Sequence, residues 1–374
     1  LMTVDRRWYI RDNYIIFRNN AVLDYISIIY KKYSSSSNQT ICAALLGILE
    51  VVAHADPSAI IQNKALIEVI MSLTNYDTGD EGDAESCAIS STAFSILTSV
   101  LPLHSDAGDT SDAPVHVLLE CGLLEAVSSA LDKVQKPPCS RLHSTGTQRA
   151  ETHVLAASAC ETLSRVVQHT KCLDTVLSAH NLCQSVVAVY LAFHNNNQPV
   201  VGGRLVQFSL LCLARLAGHS VQFGESLLHN TMCDFLTEVW KNLFQYKAEQ
   251  GVLLSVINSA VILTDLLVEG VCPPAGKLIP EQVFSCVADL LTTCTNCIES
   301  RLAVCFLLLN IFKIEEKASQ CLYFEKYYAF CQDLVDLLQA VIFPEPDSKE
   351  SKSQKEILSY LFCAVSFLSH HGGI

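Results

Sequence analysis

Charge, glycine and proline are all in short supply in this chain. Only 17% of its 374 residues are charged, against 50% hydrophobic, and there are 15 glycines and 11 prolines. So apolar a chain is not a disordered one, because it can bury enough surface to offset the entropy of ordering. The glycines and prolines cluster between apolar segments. A β-sandwich or barrel needs turn signals every ~8–12 residues, and these are missing. Aromatics make up 8%, so Leu, Val, Ile, Ala and Cys must carry the burial.

Positive charge is scarce as well. Lys and Arg number 25 against 38 Asp and Glu, a formal net charge of −13 with a pI near 5.3. DNA, RNA and anionic lipid need a positive field, so nucleic acid is not expected as a direct ligand. The one basic cluster with aromatics, Arg6, Arg7, Trp8, Tyr9 and Arg11, reads as a solvated first helix.

Nor is there a long apolar span. Mean hydropathy is +0.30, but the most apolar run, Gly251 to Thr264, stops before Asp265 and contains Ser255, Asn258 and Ser259. A membrane helix needs about 20 residues, so a buried helix is expected there and no membrane partner.

Catalytic and metal signatures are lacking too. Cys294-Thr-Asn-Cys297 is the sole C-x-x-C pair. A zinc site needs a second pair or nearby histidines, and a redox role needs a βαβ context. The acidic segment around Asp77, Asp80, Glu81, Asp83 and Glu85 invites a calcium-loop reading. With Asp77 as loop position 1, however, Ala88 falls where a bidentate Glu is required. Val201-Gly-Gly-Arg204 and Gly372-Gly373 are too short to cradle phosphate, and His370-His371 lacks the H-E-x-x-H frame. No serine sits in an activating elbow. No catalytic residue, metal site or cofactor is therefore expected. The 17 cysteines lie mostly inside apolar runs, Cys42, Cys160, Cys212, Cys305 and Cys363 among them, where a free thiol acts as a small hydrophobe. No regular spacing and no signal peptide accompany them, so a reducing compartment, nuclear or cytoplasmic, is expected. Asn38-Gln-Thr40 fits a glycosylation acceptor, which has no meaning in such a compartment. Leu1 and the final Gly-Gly-Ile suggest a fragment or isoform of a larger protein.

What the chain does have is a repeat. Ten-residue segments starting at Asn20, Lys64, Gly122 and Asn181 share one apolar layout, at spacings of 44, 58 and 59 residues. A looser copy starts at Asn230 and runs through Phe235, Leu236 and Trp240. Short apolar stretches lead into the copies through small or polar residues, as at Glu120-Cys121-Gly122 and His229-Asn230, which suit a tight helix–helix corner. Longer amphipathic segments follow: Thr40–His54, Ser86–Leu103, Glu151–His169, Gly203–His219 and Gly251–Glu269. Histidines close several of them (His54, His104, His169, His219, His370), where a cation suits the negative end of the helix dipole. Polar insertions at Tyr76–Glu85, His104–Pro114 and Lys133–Arg149 account for the long spacings. Residues 281–294, 300–314, 325–343 and 354–370 continue as helices with weaker phasing. Residues 344–353, Pro-rich and charged, read as a solvated linker. Roughly five to seven helical pairs are expected.

This arrangement resembles the armadillo/HEAT superfamily. Leu118-Leu-Glu-Cys-Gly-Leu-Leu-Glu-Ala-Val-Ser-Ser-Ala-Leu131 looks like the end of an armadillo second helix, its glycine corner and the start of its third. The resemblance implies an all-α, right-handed superhelical solenoid. Its armadillo-like repeats with loop insertions would span residues 1–270, and more divergent repeats 271–374. Size, acidity and cysteine-rich helices are also similar to those of the large armadillo-like meiosis inhibitor proteins of vertebrates, with no diagnostic motif. That likeness would place the chain in nuclear, meiotic chromosome processes.

In armadillo folds the third helices line a concave groove. Carried onto this chain, that groove would present Asp24, Glu68, Glu125, Asp234, Glu238 and Trp240. It would take a basic, extended or helical segment of another protein. The expected function is a non-enzymatic scaffold or adaptor. The alternatives are a regulatory subunit or exchange factor for a GTPase or kinase, and a nucleic-acid-binding helical repeat.

Overall fold

The computed structural model describes residues 20–33, 39–75, 84–101, 112–135, 146–193, 199–228, 235–268, 279, 282–283, 286–287, 290 and 298–317. Among these the chain is all-α, with no strand. It divides into two compact units, Leu1–Leu213 and Ala214–Ile374.

The first unit opens with α1 (Asn20–Tyr33) and α2 (Gln39–Ala55). From α2 onward the helices run in triads of long, short and intermediate length: α2, α3 (Pro57–Ile61), α4 (Lys64–Thr74); α5 (Ala84–Val100), α6 (Ala113–Glu120), α7 (Leu123–Gln135); α8 (Gly146–Val166), α9 (Leu173–Ser178), α10 (His180–Phe193). α11 (Pro199–His219) carries the boundary between the units. The second unit holds the rest of α11, α12 (Val221–Leu228), α13 (Phe235–Gln245), α14 (Gln250–Val268) and α15 (Ile298–Lys317).

Two series of the longer helices run through the first unit. In one, α1 packs on α4, α4 on α7 and α7 on α10; in the other, α2 packs on α5 and α5 on α8. The two series meet where α4 packs on α5 and α7 on α8. In the second unit, α14 packs on α13, α12 and α15.

Burial repeats in register. In α4 the buried positions are Leu66, Ile67, Val69, Ile70, Leu73 and Thr74. The same six positions are buried in α7 (Leu123, Leu124, Ala126, Val127, Ala130, Leu131) and in α10 (Leu182, Cys183, Ser185, Val186, Val189, Tyr190). They recur in α13 as Phe235, Leu236, Glu238, Val239, Asn242 and Leu243. Such a pattern, advancing by three or four residues, covers one stripe and its flank on a helix. The long helices repeat likewise: Leu155, Ala156, Ala159, Cys160 and Leu163 of α8 correspond to buried Leu205, Val206, Ser209, Leu210 and Leu213 of α11.

Local signals set the corners. Asp56 and Asn63 cap α3 and α4, each accepting a hydrogen bond from the backbone N–H of the third residue of its helix (3.3 Å to Ala59 N and to Leu66 N). Gly122 has φ +88°, the left-handed backbone expected at this corner. Between α5 and α8 the crossing is lined with small and hydroxylated residues. Ser91 and Ser158 pair at 3.0 Å, Thr98 and Thr162 at 2.8 Å, and Thr162 Oγ1 also lies 3.1 Å from the Phe94 carbonyl. Buried hydroxyls thus find partners, as the low dielectric of a core demands.

Several sequence expectations shift. α8 starts five residues before Glu151 and ends at Val166, with a 3-10 turn (Thr170–Cys172) after His169. The short helices α9 and α12 stand where apolar lead-ins were expected, α6 holds the stretch that resembles the end of an armadillo second helix, and α3 falls where no helix was expected. Residues 84–85, 113–114, 133–135 and 146–149 belong to helices and Asp112 stands just before one, while the rest of the three polar insertions lies outside the described residues. So do the corner at His229-Asn230, the linker 344–353, the helices expected at 325–343 and 354–370, Cys294 and Cys297.

The apolar helix is longer than the sequence run suggested. α14 runs through Asp265 to Val268 and, at 19 residues, is long and apolar enough to cross a bilayer. Two bent pairs, α6 with α7 and the 3-10 turn and α9 with α10, would pass the same test together. The relevant contrast is packing rather than length. α14 buries Ser259 and Thr264 against protein, and Asn310 of α15 donates to the Val261 carbonyl (3.1 Å) and to Thr264 Oγ1 (3.2 Å).

Candidate functional site

The acidic positions expected to line a groove fall into two groups. In the first unit, Asp24, Glu68 and Glu125 are all exposed, and each immediately precedes the position of Val69 or its counterpart in the repeat. Helices α1, α4 and α7 pack in sequence, so the three carboxylates belong to one column. Gln184 takes the same exposed position in α10 and ends the run of charge. Asp24 is partly engaged: Asn63 Nδ2 donates to its Oδ1 at 3.2 Å. That bond comes from a neutral amide and brings no cation to the Asp24 carboxylate.

The second group does not form a surface. Asp234 lies outside the described residues. Glu238 is 8% exposed and Trp240 1% exposed. By burial pattern Glu238 takes the repeat position of Val69, Ala126 and Ser185, and the position before it, acidic in α4 and α7, is Thr237 in α13. Its Oε1 accepts a hydrogen bond from Lys241 Nζ at 2.6 Å, an i,i+3 ion pair. Trp240 is core; its indole N–H finds no hydrogen-bond partner among the described residues.

One grouping has the composition of a catalytic centre and was not visible in the sequence. His169 Nδ1 lies 3.0 Å from Asp112 Oδ1, and Lys171 Nζ donates to Asp112 Oδ2 at 2.6 Å. Cys172 follows in the same 3-10 turn. Asp112 lies 57 residues away, immediately before α6, so no local spacing announced it. His169 was expected to serve a helix dipole; it lies past the end of α8 with its side chain 1% exposed. The hydrogen bonds from Lys171 and His169 hold the Asp112 carboxyl down at about 2.

The thiol decides against nucleophilic chemistry here. A Cys nucleophile needs a thiolate stabilised by its surroundings. Cys172 is fully buried, and desolvation pushes its thiol up instead. The cluster is a structural tie between the start of α6 and the turn before α9.

Three further thiols converge in the first unit. Cys212 Sγ of α11 lies 3.6 Å from the Cys160 carbonyl of α8, and Cys183 Sγ of α10 lies 3.6 Å from the Val176 carbonyl. Burial raises Cys160 to about 12, Cys183 to about 11 and Cys212 well above the usual thiol range. They are protonated hydrophobes. Among the described residues no group of three or more His, Cys, Asp or Glu side chains is placed to hold a metal ion.

No family model and no curated protein matches the chain. Among the described groove candidates, Asp24, Glu68 and Glu125 are the ones that stand exposed, on helices that pack in sequence.

Proposed function

We propose that the chain is a non-enzymatic protein-binding scaffold or adaptor, built as a right-handed superhelical solenoid of armadillo/HEAT-like repeats. The observation that supports this best is the recurrence of six buried positions in α4, α7 and α10, with an exposed residue at the same site between them. A repeat that buries one stripe against its neighbours leaves an equivalent stripe open in each unit, and a row of such stripes is a binding surface. Asp24, Glu68 and Glu125 make that surface acidic. Its partner is a basic, extended or helical segment of another protein. Placing this activity in nuclear, meiotic chromosome processes rests on the resemblance to meiosis inhibitor proteins alone.

The test is affinity purification of the tagged chain from native tissue, beside a version carrying Asp24→Lys, Glu68→Lys and Glu125→Lys. A discrete partner that copurifies with the first and not the second supports the proposal. A GTPase or kinase among the captured proteins would move it to a regulatory subunit. A partner that persists with the triple variant overturns the acidic column as the binding surface. Captured nucleic acid, removed by nuclease, would favour the nucleic-acid-binding alternative against the charge balance of −13.

A further inference from the structure

Helix α1 exposes the face that every later helix of its series buries. The counterparts of Tyr25 are Val69, Ala126 and Ser185, and those of Ile29 are Leu73, Ala130 and Val189; all six counterparts are buried. Tyr25 is 62% exposed, Ile28 57%, Ile29 39% and Tyr33 39%. Ser185 identifies what this face meets elsewhere: its hydroxyl donates to Asp132 Oδ1 at 2.7 Å, and its carbonyl accepts from Gln135 Nε2 at 3.2 Å. Both partners belong to α7, the preceding helix of the series. The face is therefore one that receives an α-helix lying along it, and on α1 its side chains are large and apolar.

The charges flanking the stripe identify the occupant. Asp24 stands exposed near the start of α1, and Lys31 and Lys32 stand exposed in its last turn. Two copies of α1 packed antiparallel across a two-fold axis bring Asp24 of each against Lys31 and Lys32 of the other. The apolar centres, Ile28 and Ile29, then meet each other. A parallel pair would oppose like charges at both ends. Self-complementarity of this kind is what an isologous interface requires. We propose that α1 is a self-association surface, paired antiparallel with α1 of a second copy of this chain. One 14-residue helix per copy is a small interface, so association in the micromolar range is expected.

Sedimentation of the whole chain at about 1–100 μM, near physiological salt, tests this. The expected result is a reversible dimer. Tyr25→Glu with Ile28→Glu abolishes it without loss of helicity by circular dichroism, since both side chains are already exposed. Asp24→Lys alone, and Lys31→Glu with Lys32→Glu alone, each weaken the dimer; an equimolar mixture of the two variants restores it as a heterodimer. Asp24 also belongs to the acidic column, but sedimentation reads the purified chain with no partner present, and the Tyr25→Glu with Ile28→Glu variant leaves all three column carboxylates in place, so the outcome is distinguishable from partner capture by the column. A wild-type monomer at the highest concentration overturns the proposal. So does a dimer indifferent to the Tyr25 and Ile28 changes, and failure of the mixture to restore association overturns the antiparallel arrangement.

Discussion

Ser185 of α10 donates its hydroxyl hydrogen to the carboxylate of Asp132 on α7, at 2.7 Å across 53 residues of sequence. The contact marks the register of one helix on the next, because Gln135 of α7 reaches the backbone carbonyl of the same serine. A partly buried hydrogen bond to a charged acceptor is worth about 1.5–3 kcal/mol at most. Asp132→Ala is expected to cost about 1–2 kcal/mol of unfolding free energy by denaturant titration. Ser185→Ala should lose a similar amount, and the double variant less than the sum, because the two remove one interaction. Full additivity would show that the pair does not set the register.

Two glycines should respond oppositely to alanine. Gly122 has φ +88°, where a β-carbon is strained whatever space surrounds it. Gly122→Ala is expected to destabilise by about 1–2 kcal/mol. Gly47 lies inside α2 with nothing within 4 Å of an added Cβ. Gly47→Ala should stabilise by about 0.5–1 kcal/mol, because glycine within a helix carries excess unfolded-state entropy. Thermal melts of both variants check the pair.

The corner at Gly122 was legible because glycine, the preceding apolar pair and the following amphipathic run coincide there. Register was harder. Matching Gly122 to Lys64 misplaces α7 by one residue, since Gly122 belongs to the corner and Cys121 is the true counterpart of Lys64 by burial. In α13 the misplacement is three residues. Steps of three and of four keep apolar residues on one helical face, so the sequence pattern tolerates such a slip and Glu238 looked like a groove residue. The short helices α3, α6, α9 and α12, with five, eight, six and eight residues, span too few turns for a period to appear. The tie between Asp112 and His169 left no trace in sequence because it joins two helix-flanking residues far apart in the chain.

Asp112 should make stability pH-dependent on the acid side. Its carboxyl is lowered from 3.8 to about 2 in the folded chain, by hydrogen bonds from Lys171 and His169. Since the folded value lies below the unfolded one, the charged form favours folding. The contribution is complete above about pH 4 and is lost as the pH falls through about 2. Asp112→Asn is therefore expected to lower the melting temperature at pH 7, with the gap from wild type closing toward pH 2. A gap that stays constant with pH would contradict this account of the tie.

The buried thiols should be inert until the chain opens. With Cys160 at about 12, its thiolate fraction at pH 8 is on the order of one in ten thousand. Among the cysteines of the described residues, iodoacetamide labelling followed by peptide mass spectrometry should modify the half-buried Cys87 and Cys121 before the buried ones. Cys160, Cys183 and Cys212 should react only in denaturant. Rapid native labelling of Cys160 would show that α8 and α11 are not closed over it.

Hydrogen exchange of the chain with and without its captured partner shows where the partner sits. The acidic-column account predicts slowed exchange over 20–33, 64–74 and 123–135, the helices that carry Asp24, Glu68 and Glu125. Protection confined to other segments, with these three unchanged, would contradict it.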